Sequence, residues 1–341
     1  MRFGPVAITD AVGAITAHGV KSGDMILRKG ATITPEIAAS LAAAGLERIV
    51  AVRLEEGDVG EDEAALSLAR SSAGPRVRVE RPFTGRSNLY ATESGLLIVD
   101  RPAVDRLNAV DETITLATLP AFKPVVAGEM VATVKIIPYA VRVEALDRAA
   151  AALGTGGTAI EIAPYRLRRV GAISTLTPGL KPSIVTKTIA VLNARLAPAG
   201  GSVVTDAACP HDTGALATEL GRQAAGEPEL IVVFGASAIA DRRDVIPAAI
   251  EAAGGRVEHL GMPVDPGNLL LIGEIAGKPV IGAPGCARSP KENGFDWVLQ
   301  RLLAGLPVTR ADITGMGVGG LLMEIVSRGQ PRDGGEPGED E

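Results

Sequence analysis

The chain has 341 residues, of which 46% are hydrophobic and 3% aromatic, and its formal net charge is −6. Asp333–Glu341 carries five of its acidic residues, so the rest of the chain is nearly neutral. This excludes a broad nucleic-acid surface, which would need a clustered excess of lysine and arginine. No apolar run approaches the roughly 20 residues of a membrane-spanning helix, and the N-terminal sequence lacks a signal-peptide pattern. Since Cys209 and Cys286 are the only cysteines, we expect a cytoplasmic protein rather than a disulfide scaffold.

The sequence pattern of residues 1–154 predicts an α+β region that is smaller than the domain that follows it. A helix is expected to begin at Thr34-Pro35, because threonine caps helix N-termini and proline suits the first helical position. Ala140–Leu153 is rich in alanine and also predicts a helix. Phe83–Leu89 is interpreted as a polar loop, either a plain turn or a contact for a ligand or a second subunit.

Residues 168–325 alternate between apolar runs and helical segments, after a glycine-rich boundary at Gly154–Gly157. This alternation predicts a three-layer α/β/α domain with a mostly parallel sheet. Residues 328–341 are rich in glycine, proline and acidic residues, and are expected to form a disordered acidic tail. The predicted strands are Val170–Ser174, Gly201–Thr205, Leu230–Phe234, Arg256–Leu260, Leu269–Ile272 and Pro279–Gly282, and the predicted helices include Lys187–Leu196, Thr213–Arg222 and Asn293–Leu303.

The clearest strand is Leu230–Phe234, an uninterrupted apolar run typical of a strand buried on both faces. It is followed by Gly235, by small residues and by the charged cluster Asp241–Asp244. A helix then begins near Val245. In an open α/β sheet such a loop lies at the carboxyl end of its strand, where ligands bind, and a nearby helix N-terminus favours an anion.

Further loops with similar chemistry follow other strands of the second half. They are Ser174–Lys187 and the pair Met262–Asn268 with Gly282–Ser289. Because all follow strands, we expect them to converge at one edge of the sheet, where hydroxyls, amides and cations would bind a phosphate-bearing ligand. The candidate binding residues are Ser174, Thr175, Lys187, Gly235, Ala236, Ser237, Pro266, Gly267, Asn268, Pro284, Gly285, Cys286 and Arg288.

Two carboxylates are the candidate catalytic groups, and each has a structural alternative. Asp244 is a candidate general base or metal-site carboxylate, and it is also a candidate N-cap of the helix that follows; the two roles are compatible. Asp241 is either a second catalytic carboxylate or a solvated partner of a neighbouring arginine. Lys187 either binds phosphate or is an ordinary surface lysine. Cys286 is either a reactive thiolate or a thiol that fills the turn.

The order of these motifs resembles the molybdopterin-binding fold of molybdopterin molybdenumtransferases and molybdopterin adenylyltransferases. Members of that family carry a strand ending in Ser-Thr-Gly, then Gly-Gly-x-Ser-x-Gly-x-x-Asp, Pro-Gly-Lys-Pro and Gly-Leu-Pro-Gly-Asn-Pro loops. The resemblance covers roughly Arg169–Pro307. The stretches that carry it are Val170–Thr175, the helix start at Asp212, Gly235–Asp244, Asp265–Asn268 and Gly282–Cys286.

The chain departs from the family pattern at several of these positions. Leu176 stands in place of the glycine of Ser-Thr-Gly, Ala236-Ser237 in place of Gly-Gly, and Asn268-Leu269 in place of Lys-Pro. Cys286-Ala287 replaces Asn-Pro. A second carboxylate of the family's first loop is also missing near Ser183–Val185. These departures affect metal insertion more than pterin binding.

The resemblance implies a transferase that inserts molybdate into the dithiolene of adenylylated molybdopterin with Mg²⁺. In that case Asp244, which matches the family's loop aspartate, belongs to the metal-insertion site. A homodimer is also expected from the resemblance. Two alternatives stay open. One is a non-catalytic carrier that passes molybdopterin, or its molybdenum form, to a nucleotidyltransferase or an apo-enzyme. The other is a nucleotide pyrophosphatase of the same fold, since fold alone does not decide function.

Overall fold

The computed structural model describes residues 1–22, 25–154, 158–179 and 181–322. The chain divides into two compact units between Pro164 and Tyr165. The predicted tail at residues 328–341, and most of the predicted glycine-rich boundary, lie outside the described residues. Within the described part, no helix is both long and apolar enough to cross a membrane.

The N-terminal unit combines several small sheets with four α-helices in its described residues. Its main sheet has the strand order β10-β12-β8-β7 and packs against α2. The helices are α1 (Pro35–Ala43), α2 (Glu61–Ser72), α3 (Arg101–Asn108) and α4 (Val143–Ala152). The strands are β1 (Arg2–Ala7), β2 (Ile15–Thr16), β3 (Val20–Ser22), β4 (Met25–Leu27), β5 (Arg48–Arg53), β6 (Asp58–Gly60), β7 (Val77–Val79), β8 (Arg86–Ala91), β9 (Gly95–Val99), β10 (Ile114–Thr118), β11 (Pro124–Val125), β12 (Met130–Ile136), β13 (Ala140–Arg142) and β14 (Ile160–Pro164).

The predicted polar loop at Phe83–Leu89 is wrong for most of its length. From Arg86 onward these residues form β8, in which Ser87 is fully buried and Asn88 is 8% exposed. The polar groups find partners inside the unit, since Ser87 Oγ donates to a backbone carbonyl at 2.9 Å and Asn88 Oδ1 accepts from Thr133 Oγ1 at 2.8 Å. Satisfied hydrogen bonds make such burial tolerable, and composition alone does not reveal them.

The C-terminal unit is built on one six-stranded sheet with the order β16-β15-β17-β20-β19-β18. The first four strands of that order are mutually parallel, and β19 is antiparallel to both of its neighbours. The strands are β15 (Arg169–Leu176), β16 (Ser202–Pro210), β17 (Leu230–Phe234), β18 (Arg256–Leu260), β19 (Leu271–Ile275) and β20 (Lys278–Ala283). The helices are α5 (Pro182–Leu196), α6 (Thr213–Ala225), α7 (Val245–Ala252), α8 (Gly294–Leu303) and α9 (Arg310–Thr314).

The helices cover both faces of this sheet, which confirms the predicted three-layer fold. Side chains alternate along β17, so that Val232 and Phe234 join a core with α5 and α8. Ile231 and Val233 join a separate core with α6 and α7. All five residues of β17 are buried. Burial on both faces explains why this strand is uniformly apolar, since each large aliphatic or aromatic side chain gains about 1.5–3 kcal/mol by leaving water.

Helix α5 begins five residues earlier than predicted, at Pro182 instead of Lys187. A proline fits the first turn of a helix, because its missing N–H has no partner there in any case. Of the hydroxyl-bearing residues in the predicted loop Ser174–Lys187, Ser183 and Thr186 lie exposed in the first helical turns, whereas Ser174 and Thr175 lie buried in β15. This correction changes the surroundings of Lys187, one of the candidate binding residues.

Candidate ligand-binding site at the carboxyl edge of the sheet

Two neighbouring parallel strands, β17 and β20, end level with one another at the carboxyl edge of the sheet, and β15 runs two residues further. In the register of β15, β17 and β20, Ser174 is aligned with Phe234, and Phe234 with Ala283. The last residues of β15 therefore lie beside the first residues after β17 and β20. This places Thr175, Gly235 and Pro284 side by side, although they are far apart in sequence.

The loop after β17 is bound directly to the end of β15. Thr175 is 1% exposed, and its Oγ1 accepts the N–H of Ala236 at 2.8 Å. Gly235 is needed for this close turn: a Cβ there would lie 2.6 Å from the carbonyl oxygen of Ser237 and 3.0 Å from Cδ1 of Ile246. The small residues of this loop therefore serve the approach of backbone to backbone.

His211 belongs to this edge, although the sequence analysis did not select it. It follows β16 directly, and its Nδ1 lies 2.8 Å from Thr175 Oγ1, while its Nε2 lies 3.1 Å from Ser237 Oγ. The next residue, Asp212, caps α6 by accepting two backbone N–H groups. Its position in the sequence could have identified it, because His211 lies between a strand of the parallel sheet and a helix cap, as the other loop candidates do.

The turn after β20 brings a cation to the same edge. Gly285–Arg288 forms a short 3-10 helix. Arg288 Nη2 donates to the carbonyl of Gly235 at 2.9 Å, and its guanidinium carbon lies 5.7 Å from the ring centroid of Phe234. Burial lowers the pKa of Arg288 from its ordinary value, yet a guanidinium stays charged in proteins. A fixed positive charge therefore lies beside the ends of β17 and β20.

Ser174 supplies a hydroxyl on the same face of the sheet as Arg288. It continues the alternation of Val170 and Ala172, which face α5 and α8, and it is 3% exposed. None of the residues that the structure describes forms a hydrogen bond with Ser174 Oγ. Ser174 Oγ is thus an exception to the rule that buried polar groups are nearly always paired.

Cys286 lies in the same turn and is half-buried. Burial is the main cause that raises the pKa of its thiol, and the nearby Arg195 opposes the shift. A raised pKa keeps the sulfur protonated near neutral pH, so the environment does not favour a nucleophilic thiolate.

The loop containing Pro266, Gly267 and Asn268 packs against the start of α8. The carbonyl of Pro266 accepts the N–H of Gly294 at 2.9 Å, and Asn268 accepts the N–H of Met262 through its own carbonyl at 2.9 Å. Gly267 has φ +143, and a Cβ there would lie 2.9 Å from two backbone atoms of Gly294. This loop is thus adjacent to the segment that follows the 3-10 turn, and the two hydrogen bonds above are made by backbone atoms.

Lys187 and the two carboxylates lie in different settings from the residues above. Lys187 is exposed on the second turn of α5. Asp244 caps α7: its Oδ1 accepts the N–H of Val245 at 2.7 Å, and its Oδ2 accepts the N–H of Ala240 at 3.1 Å. Asp241 is exposed, and hydrogen bonds from Arg243 lower the pKa of its carboxyl group. Both carboxylates thus shape their own loop.

Two further observations concern metal ligands and cavities. Across residues 1–22, 25–154, 158–179 and 181–322, no group of three or more His, Cys, Asp or Glu side chains is arranged to hold a metal ion. A cleft of about 200 Å³ lies at the starts of β18 and β20, lined by Arg256, Glu258, Pro279 and neighbouring residues. It is at the opposite end of β20 from the candidate site.

Comparison with known proteins confirms the resemblance stated from sequence. Residues 171–305 match the family described as a probable molybdopterin binding domain. This range runs from β15 to just beyond α8 and contains the edge described above. No curated protein matches the chain.

Two solved structures are similar to the chain. One is the molybdopterin biosynthesis moea protein from Pyrococcus horikosii, with 16% identity over 89% of this chain and 75% of that one, and a TM-score of 0.32. The other is a molybdenum cofactor biosynthesis protein B, with 15% identity over 41% of this chain and 95% of that one, and a TM-score of 0.30.

Proposed function

We propose that the C-terminal unit, whose residues 171–305 match the molybdopterin-binding family, binds molybdopterin at the carboxyl edge of its sheet. We call the residues involved the edge site: Ser174, Thr175, Ala236, Ser237 and Arg288. The observation that carries the proposal is the joining of the end of β15 to the segments after β17 and β20, through the Thr175–Ala236 and Arg288–Gly235 hydrogen bonds. Hydroxyls, backbone amides and a fixed cation suit the phosphate of the pterin.

The loop between β17 and α7 does not fit Mg²⁺. Asp244 lies at the N-terminus of α7, where the helix dipole is positive and favours an anion over a cation. Both of its oxygens already accept backbone N–H groups. Asp241 is paired with Arg243, so a second positive charge lies beside it.

The finer assignment we propose is a carrier. The molybdate transfer that the resemblance implied would use Asp244, and that side chain is engaged as a helix cap. The edge site, by contrast, offers the exposed Ser237 hydroxyl and the Arg288 charge. In this proposal the chain binds molybdopterin, or its molybdenum form, and releases it to a nucleotidyltransferase or an apo-enzyme.

The direct test is mass spectrometry of the small molecule that co-purifies with the full chain from cells that make molybdopterin. We expect one pterin per chain, and at least a tenfold loss of it in R288A, because a hydrogen bond to a charged group is lost. R243A is the matched control, since Arg243 is 92% exposed and, among the described residues, forms its ion pair with Asp241 of the same loop. A chain that carries no pterin would refute the proposal.

A turnover assay separates the candidate activities. With adenylylated molybdopterin, molybdate and Mg²⁺, a carrier gives stoichiometric binding and no molybdate-dependent product. A product that D244A abolishes, with pterin binding changed only a few-fold, would establish the transferase instead. Release of AMP from ADP-ribose or FAD would establish the pyrophosphatase.

A further inference from the structure

A series of hydrogen-bonded polar groups runs from the buried Thr175 of the edge site to the surface. It starts at Thr175 Oγ1, which is 1% exposed, passes through both ring nitrogens of His211 and ends at Ser237 Oγ, which is exposed. The two links measure 2.8 Å and 3.1 Å. Each link can carry one proton, so the direction of donation depends on which nitrogen of His211 is protonated.

Counting protons at Thr175 fixes that direction. Its Oγ1 accepts the N–H of Ala236, and the hydroxyl has one proton of its own to donate. Among the described residues, the acceptor that faces this proton is Nδ1 of His211. A buried hydroxyl proton without an acceptor is unfavourable. Nδ1 is therefore unprotonated, and Nε2 carries the hydrogen, an assignment made from the hydrogen-bond network.

We infer that His211 is a positioning residue that turns Ser237 into a directed hydrogen-bond donor. The Nε2–H group donates to Ser237 Oγ, so the proton of that hydroxyl points away from the ring. Ser237 lies in the loop that the edge site shares with Ala236. Its proton is then available to an anionic oxygen of the ligand. This inference rests on the proposed function and assigns the donor that meets the phosphate of the pterin.

The same distances would also suit Ser237 as a nucleophile with His211 as its base. The positions of the protons decide whether Ser237 is a nucleophile or a hydrogen-bond donor to the ligand. A base must accept the serine proton at Nε2 and therefore carries its own hydrogen at Nδ1. In that state Nδ1 would donate to Thr175 Oγ1, and the buried Thr175 proton would lose its acceptor. Ser237 is therefore a ligand donor, and His211 holds it in place.

The tautomer is tested by ¹⁵N NMR of the full, ligand-free chain, with H211Q to assign the ring signals among the three histidines. We expect the Nε2–H tautomer in the wild type and in T175S, which keeps the hydroxyl. T175V, which removes it, should give a mixture of tautomers. A wild-type ring protonated at Nδ1, or one that averages equally between both forms, would overturn the inference.

The donor role is tested by titrating the ligand-free chain with inorganic phosphate. We expect S237A and H211Q to bind phosphate about tenfold more weakly than the wild type, as the loss of a charge-assisted hydrogen bond predicts. S202A, at the start of β16 and so at the other end of the sheet, should bind like the wild type. Equal affinities, or no phosphate binding by the wild type, would overturn the role. Phosphate binding without molybdopterin binding would instead refute the proposed function alone.

Discussion

Arg195 on α5 and Asp296 on α8 form a buried ion pair, in which Nε lies 2.5 Å from Oδ1 and the side chains are 9% and 12% exposed. The same guanidinium donates to the carbonyls of Ala287 at 2.8 Å and Ser289 at 2.6 Å. One side chain therefore joins two helices to the turn that presents Arg288. The turn that presents Arg288 is therefore held by a buried charge that lies outside the edge site.

Removing this charge should destabilise the unit. We expect R195M to lower the free energy of unfolding by about 3–5 kcal/mol, because it leaves Asp296 buried without its partner. Urea denaturation measures the change. R222A breaks an exposed pair, in which Arg222 is 59% exposed, and should cost under about 1 kcal/mol. Similar losses in the two variants would contradict the role of burial.

Gly235 should tolerate no side chain. We expect G235A to cost about 1–3 kcal/mol and to weaken pterin binding, because its Cβ would force Ser237 or Ile246 to move. G285A is the matched control at the same edge, since its Cβ would meet nothing within 4 Å. Thermal unfolding and pterin content of both variants test this. A G235A variant as stable as G285A would show that the loop can shift freely.

Asp244 should behave as a helix cap. D244A is expected to lose about 1 kcal/mol of stability, whereas D244S should keep most of it, because serine also caps helices well. The pterin content of both variants should stay within a few-fold of the wild type. Urea denaturation and pterin analysis provide the two measurements. If D244S lost pterin binding while keeping its stability, Asp244 would have to contact the ligand.

His259 should make the unit less stable in mild acid. Burial is the first cause that lowers its pKa below 6.5, followed by the charges of Arg310 and Arg242, while Glu258 opposes them. The unfolded chain therefore binds more protons at this residue than the folded chain does. Its contribution is present above about pH 6.5 and is lost as the pH falls from there through the lowered folded pKa.

Replacing His259 by glutamine should remove that part of the pH dependence. The measurement is the free energy of unfolding of the wild type and H259Q at about pH 7.5 and about pH 5.5, values that bracket the ordinary histidine pKa. The difference between the two proteins should favour H259Q more at the lower pH. A difference that does not change with pH would mean that His259 has the same pKa folded and unfolded.

Much of the fold could be predicted because its strands are buried on both faces. Leu230–Phe234 has the same bounds in sequence and structure, since an uninterrupted apolar run has few other stable placements. The prediction failed where polar residues belong to regular elements. Ser87 and Asn88 lie in a strand, and Lys187 lies in a helix, because neighbouring strands and a proline at the first helical position decided their conformation.

The sequence by itself determined the alternation of strands and helices, the loops that follow the strands and the family that residues 171–305 match, since these depend on local periodicity and motif order. Only the tertiary structure decided which side chains meet. His211 is 36 residues from Thr175 and 26 from Ser237, yet its ring bonds both. Such contacts come from the pairing of distant strands, and no local pattern encodes which loop residues that pairing brings within hydrogen-bond distance.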